Sequence, residues 1–243
     1  MPDDKIKIKD TRSHIPVTKK LHSEIDRDKL MDIITAAIKK DVNPYTAIAI
    51  GMRESNLGSK MEDYYGSFTD LEYKDRISKA YEFRDDIQNK YNVILPQSKS
   101  VDDESYYPSM IQAEKQYGTK TIKSALDKYW ALDANAMQRE NELQNLTPEQ
   151  MFVDNLKFKT DYAKKLGYKD ELMQIQGYNG YGYNESYKAN MKDNPIYAKD
   201  VLDIRENVIK KNTTVNDMIG EAMKDSMLMK LQEPMAEPPK FNF

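Results

Sequence analysis

Apolar residues recur along most of this 243-residue chain at intervals of three and four, the spacing of one face of an α-helix. Over residues 23–40, Leu30, Ile33, Ile34, Ala37 and Ile38 share such a face and predict an amphipathic helix. Asn43-Pro44 then reads as an N-cap followed by proline at the first helical position, opening a helix to about Asn56 that stops near Gly58. Ile77, Tyr81, Ile87 and Tyr91 predict a helix over 72–91, followed by a polar loop over 96–108 and two or three shorter helices between 109 and 145. Thr147-Pro148-Glu149-Gln150 has the form of a capping box, and Gly167 that of a terminator, for a helix carrying Phe152, Leu156 and Tyr162. A short helix over 170–176 leads into GYNGYGYN, residues 177–184. Asn194-Pro195 repeats the Asn-Pro start and opens a helix presenting Tyr197, Val201, Ile204 and Val208. The pattern predicts a mainly α fold with little or no β-structure, the one weak hairpin signal lying over 58–71.

The two ends fit this pattern less well. Residues 1–22 read as an extended N-terminal arm, because Pro2, Pro16 and the alternating Lys and Ile supply neither a helical face nor a cap. Residues 23–211 read as one domain, within which 70–107 has the character of an insertion. Residues 212–243 comprise a Met-rich amphipathic helix over 214–231 and a proline-rich tail ending in Phe241 and Phe243; the helix packs on its own domain or docks a partner.

Composition narrows the chemistry. Charged residues make up 32% of the chain, but 37 basic against 40 acidic side chains leave a formal charge of -3, so no basic field gathers a nucleic acid. Cysteine is absent, which removes disulfides, thiolate metal sites and thiol nucleophiles. His14 and His22 lie in the polar leader without carboxylates at metal-ligand spacing and read as solvated surface groups, so no metal or other cofactor is expected. No stretch approaches the roughly 20 apolar residues of a membrane span, and the first ten residues have no apolar export-signal core.

Within the helix opened by Pro44, positions 47, 50 and 54 lie on one face. Glu54 therefore follows Ala47 and Ile50 onto the side expected to be buried, where a desolvated carboxyl holds its proton to higher pH, as an acid working near neutrality requires. Gly51, one turn earlier, would leave room for a ligand. The alternative is a solvated helix-end carboxylate paired with Arg53 or a lysine.

The segment NPYTAIAIGMRESNLG, residues 43–58, resembles the first motif of the lytic transglycosylase and goose-type lysozyme superfamily, a helix of small apolar residues ending in Glu-Ser. Tyr178-Asn179-Gly180-Tyr181-Gly182 resembles that family's Tyr-Asn-small-Gly motif, and Tyr197 in NPIYAKDVL the tyrosine opening its last catalytic-domain helix. The three occur in the family's order, and the resemblance spans roughly 25–210. It implies a lysozyme-like helical domain with Glu54 as general acid and base, Ser55 supporting the site, Tyr197 hydrogen-bonded to Glu54, and Tyr178, Asn179 and Gly180 lining a sugar cleft. The family's Gly-Leu-Met-Gln-like segment has its nearest counterpart in Gly66-Ser67-Phe68-Thr69, with Gly66 and Phe68 as sugar contacts and Thr in place of Gln. Pro108-Ser109-Met110-Ile111-Gln112 keeps the Met and Gln but lies far later.

The implied substrate is the glycan strand of peptidoglycan, cut between N-acetylmuramic acid and N-acetylglucosamine. Closure of a 1,6-anhydro ring and hydrolysis both remain open, the latter with Asp63 or Asp70 as base. A wall-cleaving chain without an export signal suggests a bacteriophage protein carried in the virion, acting on the periplasm or cell wall, with the arm and the C-terminal helix docking other virion proteins. The alternative expectation is a lysozyme-fold structural or cargo protein of the particle.

Overall fold

The computed structural model describes residues 4–55, 57, 70–95, 106–180 and 195–232. The fold is mainly α, as the three-and-four spacing predicts. It divides into two compact units, one formed by Met1–Ser67 with Thr147–Phe243 and the other by Phe68–Leu146.

The first unit opens with a small antiparallel sheet, β1 (Lys5–Lys9) paired with β2 (His22–Asp26), in which Ile6 faces Ile25 and Ile8 faces Ser23. This corrects the expectation of an extended arm over 1–22. Alternation of Lys with Ile is a period of two, which buries Ile6, Ile8, Ser23 and Ile25 on one side and leaves the lysines outside. It also delays the first helix, α1, to Arg27–Lys39, where Leu30, Ile33, Ile34, Ala36 and Ala37 are buried.

Next comes α2 (Pro44–Ser55), capped by Asn43, whose Oδ1 accepts from the Tyr45 and Thr46 amides at 3.0 and 3.3 Å. Helix α6 (Pro148–Lys165) carries the predicted capping box: Thr147 Oγ1 accepts from the Gln150 amide and Gln150 Oε1 from the Thr147 amide, each at 3.2 Å. Gly167 follows at φ 94°, the left-handed conformation glycine accommodates. Helix α7 (Glu171–Gly180) runs four residues beyond its expected end and takes Tyr178 and Asn179 into its last turn. Helix α8 (Ile196–Ile204) passes into a π-helical turn over Arg205–Ile209, and α9 (Thr213–Gln232) closes the unit. Pro195 is the N-cap of α8 and not its first residue; Asn194 lies outside the described residues. Helix α9 packs on α1 through its first half, burying Val215, Met218, Ile219 and Ala222. Met227 and Leu228 in its second half are exposed.

The second unit contains α3 (Leu71–Tyr91), α4 (Tyr106–Tyr117) and α5 (Thr119–Leu143). Its core is built from Ala80, Ile87, Met110, Ala113, Ile122, Leu126 and Tyr129. The two or three shorter helices expected between 109 and 145 are two, α4 and, after the break at Gly118, φ 89°, the 25-residue α5, longer than expected. Among the described residues no helix is long and apolar enough to cross a membrane.

Candidate functional site

Glu54 lies one residue before the end of α2, in a helix whose buried residues are nearly continuous from Thr46 to Met52. Its side chain keeps 17% of its surface exposed, and its Oε1 accepts from Arg53 Nη1 at 3.3 Å. Tyr197, at the second position of α8, is brought to the same place from 143 residues away because α2 and α8 pack together. The start of α8 is held by Gln176, whose Oε1 accepts from the Ala198 amide at 3.0 Å. Arg205 ties the π-helical turn to the other two elements, donating to Thr46 Oγ1 at 2.9 Å and to Glu171 Oε1 at 2.5 Å.

The Tyr197 ring is 3% exposed and its hydroxyl meets no acceptor at ordinary hydrogen-bond geometry among the described residues. Glu54, the expected acceptor, is nevertheless close enough to act on the phenol through a side-chain hydrogen bond, though outside ordinary geometry. Burial pushes the phenol's pKa far above its usual value, and the nearby Glu54 carboxylate and Tyr178 push in the same direction while Arg53 opposes them.

Tyr178 is also buried. Its ring stacks on Tyr197, with centroids 6.3 Å apart, and meets Phe152 edge-on at 6.5 Å. Lys159, from α6, sets its ammonium 4.1 Å from the centroid of Tyr178. Burial lowers the pKa of this lysine, and the charge of Glu54 works against that shift. Glu54 thus faces two cations, one on its own helix and one delivered by α6.

Other expected participants have different surroundings. Ser55 is buried and its hydroxyl donates to the Gly51 carbonyl at 2.9 Å, so it serves its own helix. Gly51 leaves no room for a ligand: a Cβ there would stand 2.7 Å from Leu57 Cδ2, and Leu57 is fully buried against it. Asn179 is exposed on the last turn of α7, which also includes Gly180. Gly66, Phe68, Thr69 and Asp63 lie outside the described residues, as do Tyr181 and Gly182. Asp70 has no freedom to act as a base, since both oxygens bind Arg139 and one also accepts from the Tyr73 amide. His14 is exposed as expected, although its Nε2 stands 3.0 Å from Asp203.

No family model matches this chain, and neither does any curated protein or solved structure. The site therefore rests on its own geometry. Among the described residues no cluster of His, Asp and Glu is placed to hold a metal ion.

Sequence reasoning missed four residues: Arg12, Arg53 as more than a neighbour of Glu54, Lys159 and Asp200. Two left a signal in the spacing. Lys159 continues the row of Phe152 and Leu156 on α6, and Asp200 falls three residues after Tyr197 on α8. Arg12 had none that pointed to the site, since apart from the neighbouring Asp10 its ion-pair partners, Asp200 and Asp203, lie 188 and 191 positions away.

Proposed function

We propose that this chain is a lytic transglycosylase or muramidase that cleaves the β-1,4 bond between N-acetylmuramic acid and N-acetylglucosamine, with Glu54 as its single acid and base. The observation that supports the proposal is the proximity of Glu54, Tyr178 and Tyr197, carried by three helices: Tyr178 stacks on Tyr197, and Glu54 lies beside the Tyr197 phenol. Glu54 gives its proton to the glycosidic oxygen as the bond from C1 breaks. Its carboxylate then takes the proton of the muramic acid 6-hydroxyl as that oxygen closes on C1, so the proton is returned and a 1,6-anhydro end remains. Water entering in place of the hydroxyl leaves a reducing end. Tyr197 keeps its proton throughout and is suited to donate towards the carboxylate, not to accept from it.

Among the described residues the exposed Asn179 is the substrate contact; Gly66 and Phe68, the other contacts the resemblance implies, lie outside them. The chain acts from a bacteriophage particle on the cell wall of the host, and the exposed Met223, Met227 and Leu228 of α9 are available for another virion protein. A second reading, a structural protein of the particle with this architecture and no turnover, is favoured by one feature: Thr69 stands where the resembled sugar-binding segment has glutamine.

Digestion of purified peptidoglycan by the full chain, with mass analysis of the muropeptides, tests the first reading. Anhydro or new reducing ends are expected, and they disappear in Glu54→Gln while the helical content is unchanged. Absence of new ends with the parent chain, or undiminished turnover in the variant, refutes it.

A further inference from the structure

Arg53 has a wider set of contacts than an ion pair with its neighbour. Its Nη1 donates to Glu54 at 3.3 Å, its Nε donates to Asp200 Oδ2 at 2.9 Å, and its Cζ lies 4.1 Å above the centre of the Tyr197 ring. One planar group therefore fixes the carboxyl and covers the phenol beside it. The guanidinium is itself held from the far side. Asp200 presents its other oxygen, Oδ1, to Arg12 Nη1 at 2.8 Å, so this carboxylate bridges two arginines.

Arg12 belongs to the segment that joins the two strands of the hairpin, and its side chain is almost fully buried. Its remaining donors bind Asp10, at 3.0 and 2.7 Å, and Asp203, at 3.1 Å. The fork is closed on every side: Asp10 also accepts from the Arg12 and Leu21 amides, and Asp203 from Asn207. A buried guanidinium with this many partners has one low-energy position. That rigidity reaches Glu54 by way of Asp200 and Arg53.

We propose that Arg53 is a positioning residue for Glu54 and Tyr197, and that the N-terminal hairpin is part of the site because Arg12 sets Arg53 through Asp200. The inference rests on the enzymatic reading for its consequence in turnover, but not for the coupling itself. The hairpin, expected from sequence as a docking arm, then belongs to the machinery. Arg53 touches no reacting atom in this scheme; it determines where the carboxyl points, and displacement of a reacting group by about 1 Å can cost on the order of 100-fold in rate.

The test uses the full chain and three partly exposed or conservative changes, Arg53→Met, Arg53→Lys and Asp200→Asn. On purified peptidoglycan, Arg53→Met is expected to lower kcat by about tenfold or more with KM changed less than about twofold, since substrate binding is untouched. Arg53→Lys recovers part of the loss, and Asp200→Asn lowers kcat in the same manner though it lies one contact further away. The second readout is independent of turnover: ring resonances of tyrosine-labelled protein, with Tyr197 assigned through Tyr197→Phe. Asp200→Asn should shift the Tyr197 signals as Arg53→Met does, with the other tyrosines in place. Unmoved Tyr197 signals in both variants, or equal loss of kcat and binding without recovery in Arg53→Lys, would overturn the proposal. If the parent chain shows no turnover, the enzymatic reading fails and the ring resonances alone decide the coupling.

Discussion

Asp70 and Arg139, 69 residues apart in sequence, form a two-pronged ion pair inside the second unit, with Arg139 Nη2 2.7 Å and Nε 3.2 Å from the Asp70 oxygens. Both side chains are almost fully buried, and Asp70 caps α3 through the Tyr73 amide at 2.7 Å. Removing one member of such a pair leaves an uncompensated buried charge, at a cost of about 3–5 kcal/mol. Arg139→Met should approach that loss in urea unfolding of the full chain. Asp70→Asn should cost less, because asparagine still caps the helix and Arg139 keeps Glu142 at 3.3 Å. Equal losses would mean that Glu142 does not compensate the Arg139 charge once Asp70 is neutral.

Tyr197→Phe should separate stability from activity. Among the described residues the hydroxyl is enclosed without an acceptor at ordinary geometry, and an unsatisfied buried polar group costs about 1–3 kcal/mol, so its removal should leave the melting temperature unchanged or raise it. Turnover of peptidoglycan should fall all the same, because the phenol beside Glu54 is lost. Calorimetry and muropeptide release on the same preparation check this; a lower melting temperature would show that the hydroxyl has a partner in solution.

Legibility followed the reach of each interaction. The capping box at Thr147, the Asn43 cap and the break at Gly167 are settled within four residues, and the sequence displays them openly. The same holds for Glu54 and Tyr197, whose helices are marked by their own apolar spacing. The hairpin is hard to see because the period two of Lys5–Lys9 offers no helical face and its partner strand, with matching alternation, lies 12 residues further on. Gly51 looks like space for a ligand from its helix alone, because the residue that fills the space, Leu57, follows the end of the helix and turns back at φ 54°. The Arg12 cluster was out of reach altogether: nothing local distinguishes an arginine that will be enclosed by residues from the other end of the chain.

That cluster should govern acid stability. Burial alone would raise the pKa of Asp10, but hydrogen bonds from the Arg12 side chain and from the Arg12 and Leu21 amides, with the charge of Arg12, bring it from 3.8 down to about 2. Asp203 is lowered too: burial opposes the shift, and Asn207, Arg12 and His14 outweigh it. A carboxylate depressed in the folded state adds stability that is complete above its unfolded value, near 3.8, and is lost as pH falls towards 2. For Asp10 this is roughly 2 kcal/mol. Urea midpoints should be level from pH 6 to 5 and fall between pH 4 and 2, and Asp10→Asn should flatten that fall. A variant with the parent's full acid dependence would place the effect elsewhere.

Lys159 reports on Glu54 without any need for substrate. Burial lowers its pKa while the Glu54 carboxylate raises it. Replacing Glu54 with Gln removes the opposing charge and leaves the burial, so the lysine should titrate at a lower pH in the variant than in the parent chain. Following the Cε and Hε resonances of Lys159 with pH measures this directly, and the cation over the Tyr178 ring makes those signals distinct from exposed lysines through the ring's shielding. An unchanged midpoint would mean that the two side chains do not face each other in solution. Lys159 would then be a lysine lying on an aromatic surface, and the claim that Glu54 sits between two cations would lose one of them.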